Sequence, residues 1–543
     1  MADSPRFLLL FLVILVVLTT AGCGGPLEPA LLPKLQAGQP AEARPELTFS
    51  VSPAAAEAGQ LLTLTWTTRN ATQVTIAPGL GTFPPQGTYS LIAQASQTFT
   101  ATAIGPGGEV AQNITFSLTR PQRPRRSVEL PNPINHVIMM FQENRSFDSY
   151  FGNMNVYRVA NGLPASVDVA DSNATNPAFE QNGSPIARFH MTTVCALNTS
   201  PAWNESHVQV DTDYLIMPGS QVTQSRMNGF VYTAAKYARD QSPPYFDTEG
   251  RRAMGYYTER ELPYYYFMAA NFAISDRWFG PVLSRSAPSR IFTYAATSNG
   301  YVYEPNVGGI KNIFQLLQEN NISWKIYYTD ADSQGGPIAY IRYFDAFYQA
   351  NKAKVVPASQ FATDAQNGTL PQVAMIESGY GNSGLDEHPL NNIQTGAAYV
   401  AGFINTLMAS QSWKDSAFFL TYDESGGLYD HVPPPAAVHP DGISPIDKPS
   451  TDIEGDFTRY GMRVPNLVIS PYVKPGYVSH TVIDHTAILK FIETRFNLPP
   501  LTARDSSQSN MYDFFDFSTA ARLTPPTPPA QPTTAPCYYD RLP

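Results

Sequence analysis

The stretch at residues 134–152, INHVIMMFQENRSFDSYFG, limits what this chain can be more than any other. Val137, Ile138, Met139, Met140 and Phe141 form an unbroken apolar run. A run this short, with no polar alternation, suits a central strand covered on both faces. It stops abruptly at Gln142-Glu143-Asn144-Arg145. Open α/β sheets bind ligands at the carboxyl ends of their strands. An acid beside an amide at that place offers hard oxygen donors suited to a divalent cation.

Beyond this stretch, helical faces alternate with apolar strands as far as about residue 497. Ile310, Ile313, Phe314 and Leu317 share a helical face, followed by a strand at 323–328. Residues 372–377 form a buried strand ending in the acid Glu377, and 417–422 and 464–470 form two more. Val400, Phe403, Ile404, Leu407 and Met408 mark one helix, and Ile488, Leu489, Ile492 and Phe496 another. The alternation predicts an α/β fold with a mainly parallel sheet between helices. Residues 153–252 show little periodicity and read as an insertion, a lid over the active-site edge.

The remainder of the chain divides by composition. Arg6, the apolar residues 7–18 and the small residues before Cys23 form a signal peptide at 1–23, which predicts export. Ala21-Gly22-Cys23-Gly24 also resembles a bacterial lipobox, with Thr20 where leucine is usual. A lipid anchor at Cys23, and so a cell-envelope lipoprotein, and a simply cleaved leader, secreted or periplasmic, both stay open. Residues 24–44 read as a tether. Residues 45–120 carry short alternating runs separated by Gly and Pro, which predicts a small all-β, Ig-like sandwich with Trp66 in its core. Two readings of that region are open, a spacer, which is preferred, and a module that itself binds carbohydrate or a partner. Residues 121–133 form a basic hinge, 134–522 a catalytic domain and 523–543 a Pro/Thr-rich tail. The other two cysteines, Cys195 and Cys537, can pair in an oxidising compartment and tie the tail down. The net charge of -10 removes any electrostatic case for nucleic acid.

A second strand-then-acid junction occurs at Thr421-Tyr422-Asp423-Glu424. If the two strands are neighbours, Glu143, Asn144, Asp423 and Glu424 form an oxygen cluster sized for a divalent cation. A third stretch, at 279–291, holds Ser284, Ser286 and Ser289 in a turn rich in Pro and Arg. A serine bound to a metal has its hydroxyl activated as a nucleophile, and the pattern does not choose among the three. Arg290 has the geometry to hold phosphate oxygens bidentately. Four histidines lie beside polar partners: His207, His388, His431 (next to Asp430) and His485. A neighbouring carboxylate can orient such a ring as a general acid or anion ligand. His136, His190, His439 and His480 read as structural.

QENRSFDSYFG closely resembles the signature of a bacterial phosphoesterase family that contains non-haemolytic-type phospholipases C and acid phosphatases. MGYYTERELPYYYFMAANFAISDRWF, LPQVAMIE, DEHP, TYDESGGLYDHVPPP, GMRVPNLVISPYVKPGYV and DHTAILKFIETRF resemble further family motifs, in the same order. The resemblance spans about 134–497 and implies an alkaline-phosphatase-like fold. It implies Glu143 and Asn144 as one pair of metal ligands and Asp423 and Glu424 as another. Ser286, in Ser286-Ala287-Pro288-Ser289-Arg290, matches the nucleophile, which also ligates the metal. His207 and His388 match histidines around bound phosphate, while Asp430, His431 and His485 fall in shared motifs. This chain departs from the family pattern at Ser289, Ser425 and Asn228, positions where Asn, His and Asp are usual. The implied activity is metal-dependent hydrolysis of a phosphoester. A phospholipid phosphodiester is the first choice of substrate and a small phosphomonoester the second. A surface-binding protein with a retired catalytic domain is the non-enzymatic alternative, against which the retained ligand set argues. Calcium, magnesium, manganese or zinc would satisfy such ligands.

Overall fold

In the computed structural model, which describes residues 43–56, 61–92, 96–118, 132–216 and 225–543, the apolar run becomes the strand His136–Gln142. It lies fourth in an eight-stranded sheet. The order is Val355–Pro357, Trp324–Tyr328, Val373–Glu377, His136–Gln142, Ser416–Tyr422, Asn466–Ile469, Ala273–Ser275 and Tyr477–Ser479. Val137 through Phe141 are at most 1% exposed, as the absence of alternation predicts. The sheet is mainly parallel. Asn466–Ile469, which reads from sequence as one more parallel strand, instead runs antiparallel to both its neighbours. Its apolar residues are buried in either direction, so hydropathy does not encode the sense of the strand.

Helices cover this sheet where the periodicity places them. Ile393–Met408 buries Val400, Phe403, Ile404, Leu407 and Met408, and its N-cap Asn392 accepts from Gln394 N and Thr395 N. Thr486–Phe496 buries Ile488, Leu489 and Ile492 and ends at Asn497, which takes the left-handed conformation common at helix ends. The insertion is more regular than its sequence suggests. It contains the helices Met154–Ala160, Trp203–Val210 and Phe230–Asp240. Phe230, Val231, Ala234, Ala235 and Ala238 do form a buried face in the last of these, but alanine makes it a faint apolar stripe.

The chain divides into two compact units, Met1–Arg125 and Arg126–Pro543. The described part of the first is all β. Glu46–Ser52, Leu61–Arg69 and Gly87–Ile92 form one sheet, and a five-stranded sheet forms the other. Phe49, Leu64, Trp66, Val74, Ile76 and Phe99, drawn from both sheets, make a shared core. Trp66 Nε1 donates to Pro84 O at 2.9 Å. The signal segment with Cys23, most of the tether and most of the hinge lie outside the described residues.

Residues 523–543 are not a free tail. Trp413 Nε1 donates to the carbonyls of Arg522 and Leu523, and Val194 N donates to Pro536 O at 2.9 Å. Cys195 and Cys537 are joined by a disulfide that closes a loop of 342 residues. The segment so pinned also pairs with the loop after His388: Leu390 N donates to Ala196 O at 2.7 Å and Ile393 N to Val194 O at 3.1 Å. Cys537→Ser is expected to cost about 2–5 kcal/mol of stability. A melting curve under non-reducing conditions measures this, and an unchanged midpoint would mean that hydrogen bonds alone hold the tail.

Candidate active site

Strand register brings the acids together. Phe141 is level with Glu377 on one side and Thr421 on the other, so three strands end at one edge. Asp423 N donates to Gln142 O at 3.0 Å, which sets the two acid-bearing loops side by side. Asn144 adopts a left-handed φ of 58°, a conformation asparagine tolerates better than most residues. Its N–H donates to Asp423 Oδ1 at 3.0 Å, which also accepts from Glu424 N at 2.8 Å. Gly426, at φ 67°, is required: a Cβ there would lie 2.4 Å from the Asn144 carbonyl oxygen. Its N–H donates to Glu424 Oε2 at 2.5 Å. The structure thus makes neighbours of Glu143, Asn144, Asp423 and Glu424.

It also separates the three serines. Ser284 is buried and donates to the Val302 carbonyl. Ser289 is buried, with its hydroxyl unpartnered. Ser286 is half-buried, opens the helix Ser286–Ala295 and donates from Oγ to Asn144 Oδ1 at 3.2 Å. The positive end of a helix favours a developing negative charge at such a position. Pro288 falls in the first turn, where its missing N–H costs no helical hydrogen bond.

Arg290, on the same face one turn later, serves the carboxylates. Its Nη2 donates to Glu143 Oε1 at 2.7 Å and Phe141 O at 2.9 Å, and its Nη1 lies 3.8 Å from Glu377 Oε2. Its Nε is 3.8 Å from Asp423 Oδ2. The guanidinium is 1% exposed and bridges buried acids. Against the cost of burial, Arg290 holds Glu143 below its ordinary carboxylate range. Burial, compounded by neighbouring carboxylates, pushes Asp423 and Glu424 well above theirs. Asp423 Oδ2 and Glu424 Oε1 are buried without a hydrogen-bond partner. An orphaned buried acceptor costs about 1–3 kcal/mol, more when charged. A divalent cation would satisfy these two oxygens, and carboxylate oxygens are donors it takes, though among the described residues only Asp148, Asp430 and His431 bring three ligand atoms within 4.8 Å of one another. Glu377 belongs to the same charge cluster. Its sequence signal, an acid closing a buried strand, matches that of Glu143 and Asp423.

The histidines differ in their surroundings. His388 is half-buried and near enough to Glu143 to favour its charged form. His207 is buried between Trp203 and Tyr214, donates from Nδ1 to Trp203 O at 2.7 Å, and is pushed by burial down to about 4. It is neutral near neutral pH and poorly placed to supply a proton. His485 is a backbone strut: Trp278 Nε1 donates to its Nδ1 at 3.1 Å, and its Nε2 donates to the Asp423 carbonyl at 2.9 Å. Burial drives its pKa down to about 3.

Asp430 and His431 belong to a second group, with Asp148. Ligand atoms of the three lie within 4.8 Å of one another, close enough to hold a metal. Arg463 already supplies positive charge there, 3.1 Å from Asp148 Oδ1 and 3.1 Å from Asp430 Oδ1. His431 places Nδ1 2.6 Å from Asp148 and Nε2 3.1 Å from Asp168. Against the cost of burial, Asp148 and Asp430 raise its pKa. The group is therefore compensated by its own cations, whereas Glu143, Asp423 and Glu377 share the one Arg290 guanidinium. Asp148 has no strand-end signal and was not identifiable from sequence as a site residue.

Residues 134–499 match the phosphoesterase family, well over half of the chain. The chain belongs to this family. It is a hydrolase of phosphoester bonds. This phosphoesterase is 30% identical to phospholipase C B of Mycobacterium tuberculosis over 435 residues, 73% of this chain and 79% of the relative. It is 27% identical to non-specific phospholipase C1 of Arabidopsis thaliana over 76% of this chain and 75% of the relative. A solved alkaline-phosphatase-superfamily protein from Vibrio parahaemolyticus aligns with 66% of the phosphoesterase and 78% of itself. Its TM-score of 0.31 and identity of 8% are too low to bear on the fold.

Proposed function

We propose that this phosphoesterase is an exported, metal-dependent phospholipase C that cleaves phospholipid phosphodiesters through Ser286. One observation carries the proposal: the Ser286 hydroxyl, at a helix N-terminus, is bonded to Asn144 beside buried acids of which two oxygens, Asp423 Oδ2 and Glu424 Oε1, lack partners. Glu143, Asn144, Ser286, Asp423 and Glu424 would hold the cation. When bound, it supplies positive charge that acidifies a hydroxyl and offsets phosphoryl oxygens. Ser286 Oγ gives up its proton to solvent and attacks phosphorus in line with the leaving alcohol, and the P–O bond to that alcohol breaks. His388, half-exposed beside Glu143, gives the departing oxygen its proton; the buried, neutral His207 is the weaker donor. Water then cleaves the phosphoserine ester and regenerates the hydroxyl.

The relatives named as phospholipases C favour a phosphodiester substrate. No helix among the described residues is long and apolar enough to cross a membrane. Contact with a lipid surface would come from a lipid chain on Cys23 or from the substrate itself. The two substrate classes separate in one assay. Diacylglycerol release from phosphatidylcholine vesicles is expected to exceed phosphate release from an aryl monophosphate by at least about tenfold in kcat/KM. The reverse ratio would make the protein a phosphomonoesterase.

A further inference from the structure

We infer that Glu387 is a positioning residue that sets the spacing of the proposed cation ligands and of His388. The inference rests on the proposed reading of the site. Glu387 is fully buried, yet its carboxylate touches neither Ser286 nor any proposed ligand side chain. Its Oε1 accepts from Gln142 Nε2 at 3.0 Å and Tyr265 OH at 2.5 Å. Its Oε2 accepts from Tyr150 OH at 2.7 Å and Tyr422 OH at 2.8 Å. A carboxylate has about four acceptor sites, so the donors saturate it. The same residue's carbonyl accepts from Arg145 Nε at 2.9 Å and Nη2 at 2.6 Å.

The origin of these donors gives the cage its meaning. Gln142 precedes Glu143, Arg145 follows Asn144, and Tyr422 precedes Asp423. Asp386 and His388 flank Glu387 itself, and Glu143 N donates to Asp386 O at 2.9 Å. Successive residues at a strand end point to opposite faces. Gln142 and Tyr422 therefore turn toward Glu387 while Glu143 and Asp423 turn toward the cation side. Every proposed ligand on these two loops is within two residues of a group that grips Glu387, and the proposed proton donor adjoins Glu387 itself.

The local backbone supports this role. Glu387 holds φ at 67°, a left-handed conformation that is strained for a non-glycine residue. Such strain persists where surrounding contacts over-determine it, commonly at functional sites. Gly396 lets the helix Ile393–Met408 approach, since a Cβ there would lie 2.3 Å from Glu387 Cγ. An apolar side chain would fill this space with less desolvation cost. It would not fix the directions of four donors from separate segments, which is what a saturated polar network does.

The test uses the full-length protein. Glu387→Gln keeps the shape but replaces one acceptor oxygen by a donor. Tyr150→Phe and Tyr265→Phe keep the ring packing and each remove one donor. Three quantities are read: kcat and KM on p-nitrophenyl phosphorylcholine, affinity for calcium, magnesium, manganese or zinc titrated singly into metal-free protein, and the melting temperature. Altered support of a metal site commonly costs 10- to 100-fold in affinity or activity. Glu387→Gln is expected to lower both kcat and cation affinity by about that factor, with KM within about twofold. The tyrosine variants shift both in the same direction by less. A variant that melts lower while kcat and cation affinity stay at wild-type values would reduce Glu387 to a packing residue. If Glu387→Gln does not fold, unchanged kcat and affinity in both tyrosine variants overturn the inference equally. Wild-type activity with no bound cation would defeat the metal reading of the site. A kcat loss at constant KM in Glu387→Gln would then still support positioning.

Discussion

Ser286→Ala is expected to fold as the parent does and to lose hydrolysis by roughly 10⁴-fold or more. Loss of a nucleophile in comparable hydrolases costs up to about 10⁶ in kcat, and 10⁴ corresponds to about 5.5 kcal/mol of barrier. The folding cost is small because the hydroxyl makes one hydrogen bond, 3.2 Å to Asn144 Oδ1, on a half-buried residue. A neutral hydrogen bond contributes about 0.5–1.5 kcal/mol. Steady-state kinetics beside a thermal melt therefore separate chemistry from stability. The same replacement at Ser284 or Ser289 acts through packing and is expected to spare most of kcat. Turnover within tenfold of the parent in the Ser286 variant would remove Ser286 from the reaction.

Exhaustive chelation is expected to abolish activity, and addition of one divalent ion to restore it. Glu143, Asp423 and Glu424 are three buried carboxylates, of which only the first two lie against the Arg290 guanidinium, with Asp423 Oδ2 and Glu424 Oε1 unpartnered. Removing the compensating charge from a buried ionic group costs about 3–5 kcal/mol. Metal-free protein should thus melt lower as well as turn over less. Ligand at about 100 times its dissociation constant restores about 2.7 kcal/mol, and the rise in melting temperature reports this without any substrate. Asp423→Asn is expected to weaken that rise, whereas a change at the Arg463-compensated group, such as Asp430→Asn, should leave it in place. Full activity in protein shown by elemental analysis to hold no metal would end the cation assignment.

Much of this site was visible before any coordinates. Glu143 and Asp423 follow buried apolar strands, and a parallel pair in register must deliver both to one edge. The apolar faces at Val400 through Met408 and at Ile488 through Ile492 foretold helices because side-chain burial follows the helical period. Phe230–Asp240 escaped notice because alanines give a weak apolar stripe. Residues 523–543 read as a proline-rich tail that a Cys195–Cys537 bridge would tie down; that disulfide is present, and the backbone hydrogen bonds that also hold the segment leave no trace in a chain without period.

Local pattern alone established the buried central strand, its change to acid and amide, and the α/β alternation, since these depend on neighbours a few residues apart. Tertiary structure decided which of three serines meets Asn144, why Arg290 turns inward to Glu143, and how Glu387 gathers Gln142, Tyr150, Tyr265 and Tyr422. Those partners lie 35 to 245 residues apart, and a hydrogen bond depends on ångström positions that spacing along a chain does not carry.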